Sequence, residues 1–333
     1  MAIQVNGTQV IGNSRELTNI ASIDATTAAA MGAGGVGAPT GELWVGGQGV
    51  GEMAGGTSAT NMEFANGRFI HCRNYGGLYW STNAINWNVG TYGTPFQLMT
   101  DVAYISGNTW LAVGDTGTIL RSTNNGTSWS TLSDPTGGKY ISGVATNGSR
   151  TVISTAGGGG LYYSDNSGTS WTQVSGTNGY TYDSIGFGNS RWVGIRRSNG
   201  FAYSDNGSSF TNVYNSTVAT NSNHGATGPA YGDGRWLYGM GGGYLLTSTN
   251  NGVSWTDIES GTNSGLNKCH FANNVWMISG DSGTLLKSAS GTPHFLAVPP
   301  PFGGSASKYS GVTYGNGKWA VGIQYSPGIA SAS

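Results

Sequence analysis

The chain has 333 residues, of which 9% are charged, 37% hydrophobic and 11% aromatic, with a formal net charge of −1. So little charge excludes the basic field that long-range attraction to nucleic acid or an anionic membrane requires, while the apolar and aromatic content is enough to bury a core, unlike that of a disordered chain. Cys72 and Cys269 are too few and too far apart for a disulfide framework and are expected as free thiols, and no stretch approaches the roughly 20 apolar residues of a membrane span.

The N-terminal stretch MAIQVNGTQVIGNSRELTNI lacks a basic start followed by an apolar run, so no signal peptide is expected and synthesis in a cytoplasm is. Residues 1–40 do not share the pattern of the rest of the chain. So short a segment cannot bury Val5, Val10, Ile11, Leu17 and Ile20 by itself, so these are expected to dock on sister chains or on a particle, with the Ala/Gly-rich stretch from Ala28 to Gly37 as a tether. Within it, GAGGVG at 32–37 fits a dinucleotide glycine pattern, but no βαβ unit surrounds it. Val5, Asn6, Gly7, Thr8, Val10, Ile11, Ser14, Arg15, Leu17, Asn19 and Ile20 form a segment that resembles VNGTxVIxxSRxLxNI stretches in tail-fibre and other virion proteins of tailed bacteriophages. The resemblance implies a virion component assembled in the host cytoplasm, with other virion proteins as partners and a homo-oligomer, trimeric as in fibres, as its state.

From residue 42 onward the chain repeats itself. ELWVGG at 42–47 is an apolar run ahead of seven copies of one unit, anchored on Phe69, Trp110, Val152, Trp192, Trp236, Trp276 and Trp319, which are separated by 41, 42, 40, 44, 40 and 43 residues. Each copy holds short runs of alternating apolar and small or polar residues closed by Gly, Asn or Asp, such as RWVGI and GKWAVGI, and no helical periodicity follows residue 40. A period of 40 to 45 residues with four strand-like runs is the sequence signature of a propeller blade. The last copy stops after its third strand, so 42–47 is expected to supply the fourth. The expected fold is therefore all-β: a seven-bladed β-propeller of four-stranded blades over 41–333, closed by the 42–47 strand, behind an extended arm at 1–40.

Six of the seven copies end in a Ser-rich turn and an aromatic, three of them closely alike: Ser122, Asn124, Gly126 and Trp129; Ser164, Asn166, Gly168 and Trp171; Ser248, Asn250, Gly252 and Trp255. Weaker copies run from Ser81 to Trp87, Ser204 to Phe210 and Ser288 to Phe295. These octets resemble the Asp-box, the Ser-x-Asp-x-Gly-x-Thr-Trp turn of bacterial neuraminidase repeats, with Asn in place of Asp, which keeps the side-chain acceptor and drops the charge. The resemblance implies a structural hairpin joining strands 3 and 4 on the face away from any ligand site, and it invites comparison with sialidases, which clamp a carboxylate with three arginines and use Tyr, Glu and Asp in catalysis.

That chemistry is poorly supported by the sequence. Arg68, Arg191 and Arg235 fall at one place in their repeats, with Lys318 matching and Arg150 one residue earlier, as structural residues would. No Arg-Ile-Pro element is present in NGRFIHCRNYGG. Acidic residues are few, chiefly Glu63, Asp101, Asp115, Asp183, Asp233, Asp257, Glu259 and Asp281. His71-Cys72 and Cys269-His270 suggest zinc, but neighbours on a strand point to opposite faces. The expectation is thus no catalytic residue, no metal and no cofactor.

Ligand candidates are the residues that break the repeat on the face opposite the turns: Arg73, Tyr75, Arg196, Arg197 and Tyr325 between strands 2 and 3, and Tyr92, Tyr140, Tyr180, Tyr182, His224 and Phe302 in the connections between blades. Exposed aromatics among amides and hydroxyls suit a sugar surface, because they offer stacking area at small entropic cost. The function expected is a virion structural protein, tail-fibre or adhesin-like, binding host surface glycan, with a head decoration protein or a sialidase-like glycoside hydrolase as alternatives.

Overall fold

A computed structural model of the chain describes residues 3–5, 8–11, 45–46, 59–73, 77–92, 98–220, 227–289, 294–298, 308–324 and 329–332. The chain divides into two compact units, Met1–Gly41 and Glu42–Ser333. In the first, Ile3–Val5 pairs antiparallel with Thr8–Ile11, so the arm holds a hairpin and is not extended throughout; Val5 and Ile11 pair with Thr8 and Ile3. Leu17 and Ile20 lie outside the described residues.

The second unit is built of antiparallel sheets in sequence order, six of four strands and one of five. The five-stranded sheet departs from the expected pattern: Thr91–Tyr92, expected in a connection, lies parallel to Ser128–Thr131 as an added edge strand, with Tyr92 opposite Trp129. Val45–Gly46 pairs with Ile329–Ala332, as Val45 to Ser331 and Gly46 to Ala330, completing the sheet that begins at Lys308–Gly315. That sheet's first strand packs in turn against Ala59–Ala65, so the last repeat meets the first. A five-residue α-helix at Ser216–Thr220 and two 3-10 turns interrupt the strands, a departure from the helix-free expectation.

The second strand of each repeat is the core. Arg68–Arg73, Thr109–Gly114, Arg191–Arg196 and Val275–Gly280 are buried from their second residue onward because sheets cover both their faces. The anchor aromatics Phe69, Trp110, Trp192, Trp236, Trp276 and Trp319 are all buried, and each faces an aromatic paired with it on the first strand: Phe64 at 4.6 Å between centroids, Tyr104 at 5.2 Å, Phe187 at 4.5 Å, Tyr231 at 5.4 Å, Phe271 at 5.1 Å and Tyr314 at 5.1 Å. Such tilted pairs contribute about 0.5–1.5 kcal/mol each beyond their area burial. Only the third repeat lacks one, with Ala145 opposite Val152.

The repeated turn closes on itself. Ser122 Oγ donates to Asn124 Oδ1 (2.9 Å) and accepts the Gly126 N–H (2.9 Å), Asn124 Oδ1 accepts the Ser128 N–H (2.9 Å), and the Trp129 indole N–H donates to the Gly126 carbonyl (3.1 Å). Asn166 and Asn250 make the same bond to Ser170 and Ser254, and the shorter turns at Asn83 and Asn206 vary it. Gly126 sits at φ 82 and a Cβ there would lie 2.3 Å from Ile70 of the preceding sheet, so the turn needs glycine for its backbone and for its neighbour. Asn124→Ala, which orphans the Ser128 amide and removes the Nδ2 contact to Ser128 Oγ, is expected to cost about 1–2 kcal/mol in urea unfolding.

Candidate functional site

The first strand of most repeats carries a bulged residue near its start, and a polar side chain there, or at Thr227 just ahead of the fifth repeat's first strand, reaches the next sheet. Thr60 donates to Met99 O (2.7 Å), Thr100 to Ile141 O (2.7 Å), Ser142 to Tyr182 O (2.7 Å), Thr227 to Asn267 O (3.1 Å) and Asn267 Nδ2 to Tyr309 O (3.0 Å). In the fourth repeat the bulge falls on Asp183. A carboxylate cannot serve as that donor, and Asp183 Oδ1 instead accepts Nε (2.9 Å) and Nη2 (2.5 Å) of Arg197.

The residue after the bulge builds a polar chain. Lys268 Nζ donates to Asn61 Oδ1 (2.7 Å) and Met62 O (2.5 Å), Asn61 Nδ2 donates to Asp101 Oδ1, and Asp101 Oδ2 accepts the Val144 N–H (2.9 Å). Repeats 6, 1, 2 and 3 are thereby tied together past repeat 7. Glu63 adds a carboxylate that accepts the Tyr104 N–H (3.5 Å). Burial pushes Glu63 up to about 8, with Lys268 opposing and Asp101 adding; burial also raises Asp101 and lowers Lys268. Every member has partners, so the cluster holds the sheets together. Sequence reading missed it because its members come from separate repeats.

The periodic arginines are structural. Arg68, Arg150 and Arg191 each donate Nη1 to the carbonyl of an Asn in the next repeat's turn, Asn125 (2.6 Å), Asn206 (2.6 Å) and Asn251 (2.9 Å), and lie over Trp80 (3.9 Å), Tyr163 (4.4 Å) and Tyr203 (4.4 Å). Arg235 meets Asp233 at 3.3 Å. His71, Cys72 and Cys269 are buried and His270 is half-buried beside the Trp319 ring; burial holds His71 and His270 down to about 3, hence neutral at physiological pH, and raises Cys72 and Cys269. Among the described residues no three His, Cys, Asp or Glu cluster for a metal.

The ligand candidates divide. Arg196 places its guanidinium 3.6 Å from the Tyr180 ring, and Arg197, paired with Asp183, keeps a side chain that is 54% exposed. Tyr180 and Tyr140 are exposed, at 44% and 38%. Tyr182, Arg73 and Arg196 are corrections to the expected display, since all three are buried, at 1%, 2% and 9%. The Asp183 bulge interrupts strand alternation and turns Tyr182 inward, where burial pushes its hydroxyl up to about 12 against the pull of Arg196; Arg73 lies in the all-buried second strand, 5.8 Å from the Tyr79 ring. Tyr92 is half-buried in its edge strand. Tyr75, His224, Phe302 and Tyr325 lie outside the described residues.

The sequence matches no known protein family and no curated protein. Solved structures do match. YCF48 from Cyanidioschyzon merolae superposes with a TM-score of 0.64 at 15% identity, over 87% of this chain and 98% of that one. YCF48 bound to D1 peptide gives 0.69 at 16%, over 90% and 97%, and streptogramin B lyase 0.68 at 11%, over 84% and 94%. This chain is a β-propeller. Its four-stranded sheets are the blades, and at such identities the likeness shows the fold alone: a peptide-binding propeller and a lyase share it, so function must be argued from the site.

Proposed function

We propose that this protein is a structural component of a tailed-bacteriophage particle, tail-fibre or adhesin-like, which displays a seven-bladed propeller toward glycan on the host surface. What carries the reading is the coupling of two units, a short one bearing the phage-like VNGTxVI segment and a propeller with its arginines largely engaged. In this reading the five-stranded sheet is the seventh blade, since four of its strands keep the antiparallel order of the other six, and the Ser-x-Asn turns are Asp-box copies. A sialidase-like clamp would need free guanidinium groups; Arg68, Arg150 and Arg191 are held by backbone carbonyls and Arg196 by Tyr180. The tyrosines left exposed suit sugar.

Immunogold microscopy of particles from the source, with antibody to the propeller, tests the location. Label at the tail supports an adhesin, label over the head makes the protein a decoration, and unlabelled particles reject the virion reading. Turnover of any fluorogenic glycoside would replace the binding role by hydrolysis.

A further inference from the structure

A lysine, an asparagine and two carboxylates from three blades meet inside the ring. Lys268 stands on the first strand of blade 6, Leu266–Ala272, Asn61 and Glu63 on that of blade 1, Ala59–Ala65, and Asp101 on that of blade 2, Met99–Ser106. Blade 7 lies between the first two, and its first strand carries Gly311 where it passes Asn61. A Cβ at Gly311 would lie 2.9 Å from Met62 N and 3.2 Å from Asn61 Cα, so glycine lets blade 1 come close and brings Asn61 within reach of blade 6.

The contacts are those of an amine facing an amide it can acylate. Lys268 Nζ lies 2.7 Å from Asn61 Oδ1. Since a C=O bond is about 1.2 Å long, Nζ is within about 4 Å of Asn61 Cγ, close to the roughly 3–3.5 Å of a near-attack contact. The Met62 N–H donates to Asn61 Oδ1 (2.7 Å), the atom on which negative charge develops as Cγ becomes tetrahedral. Asn61 Nδ2, the nitrogen that would leave, donates to Asp101 Oδ1. Burial lowers Lys268 toward the free amine, its nucleophilic form, and raises Glu63 and Asp101, which makes both stronger proton acceptors.

We propose that Lys268 Nζ and Asn61 Cγ join in an isopeptide bond that links blade 6 to blade 1 across blade 7 and locks the ring covalently. The Lys268 ammonium gives one proton to Glu63. The freed lone pair attacks Cγ, the C–N bond forms, and the carbonyl electron pair moves to Oδ1 beside the Met62 N–H. Nζ passes a second proton to Asp101, which hands it to Nδ2 as the Cγ–Nδ2 bond breaks and the carbonyl re-forms. The products are a secondary amide and one ammonia, and the step consumes no oxidant, metal or other co-reactant. The bond removes the Lys268 charge and leaves both carboxylates raised, because burial is the largest cause of each shift.

The test is intact mass spectrometry of the purified full chain, incubated folded at neutral pH and then unfolded in acid, followed by digestion. Expected is a mass below that of the sequence by one molecule of ammonia, together with a branched peptide joining the side chains of Asn61 and Lys268. The looped chain should also run faster than Lys268→Met or Asn61→Ala on a denaturing gel, since the bond ties together residues 207 apart. Asp101→Asn, with folding checked by circular dichroism, should slow the loss of ammonia about a hundredfold, the scale of one general acid–base group. Full mass after prolonged incubation overturns the bond. So does ammonia loss without the branched peptide, as when an Asn-Gly pair closes on itself to a succinimide. Equal rates in the parent and a folded Asp101→Asn chain overturn the proton route through Asp101. None of these results bears on the virion reading, which particle labelling judges on its own.

Discussion

Removing residues 1–48 is expected to abolish the cooperative unfolding transition of the propeller, whereas removing 1–41 should leave it within about 0.5 kcal/mol of the full chain. The first deletion takes away Val45 and Gly46, the partners of Ser331 and Ala330. Ile329–Ala332 then becomes an open edge with unpaired peptide groups, prone to pair with another chain. Each lost backbone bond contributes about 1 kcal/mol, and the larger penalty is cooperative, because the last blade is the contact through which the ring closes on Ala59–Ala65. Absence of the heat-absorption peak, with aggregation on heating, is the expected reading in calorimetry and light scattering. An unchanged transition after the longer deletion would show that the ring closes without this strand.

The second large effect lies at Glu63. Its folded-state carboxyl titrates at about 8 against an ordinary 4.5, so between those values the folded protein keeps a proton that the unfolded chain has released. Stability therefore falls as pH rises through that window and levels off above it. Asp101, also raised, acts in the same direction from lower pH, while Lys268, lowered, acts oppositely as pH climbs toward 10.5. Glu63→Gln should match the parent near pH 4.5 and exceed it by about 2–3 kcal/mol at pH 8.5, the full shift being discounted because the side chain keeps partial access to solvent. Urea unfolding at the two pH values measures this directly, and parallel pH profiles would mean that Glu63 is not the group responsible. By contrast Lys268→Met, which strands two carboxylates without their cation, should destabilise at every pH above neutrality.

What the sequence disclosed, and what it hid, follows the range of each interaction. The turns at Ser122, Ser164 and Ser248 were legible because their bonds span four residues or fewer. The four-strand order was legible from the spacing of the aromatic anchors, and the structural role of Arg68 and Arg191 from their periodicity, although their acceptors lie 57 and 60 residues away. Lys268 and Asn61 are 207 residues apart and meet only once the ring is closed. The candidate face was half legible. Tyr140, Tyr180 and Arg197 are displayed, but Tyr182, expected in a connection, opens the strand Tyr182–Gly188 and goes inward. The parallel strand at Thr91–Tyr92 gave no warning, since two residues carry no period.

The hydroxyl bonds between blades 1 and 2, 2 and 3, 3 and 4, and 5 and 6 all run one way, the earlier blade giving a proton to the one after it. A gene segment of about 40 residues therefore encodes a donor and an acceptor together. Duplication of such a segment would insert a new blade whose two junctions match those it separates, so a chain of this kind can lengthen by recombination without a compensating change elsewhere. Copies of the fourth repeat are the exception, because Asp183 would bring an acceptor where the next junction expects a donor.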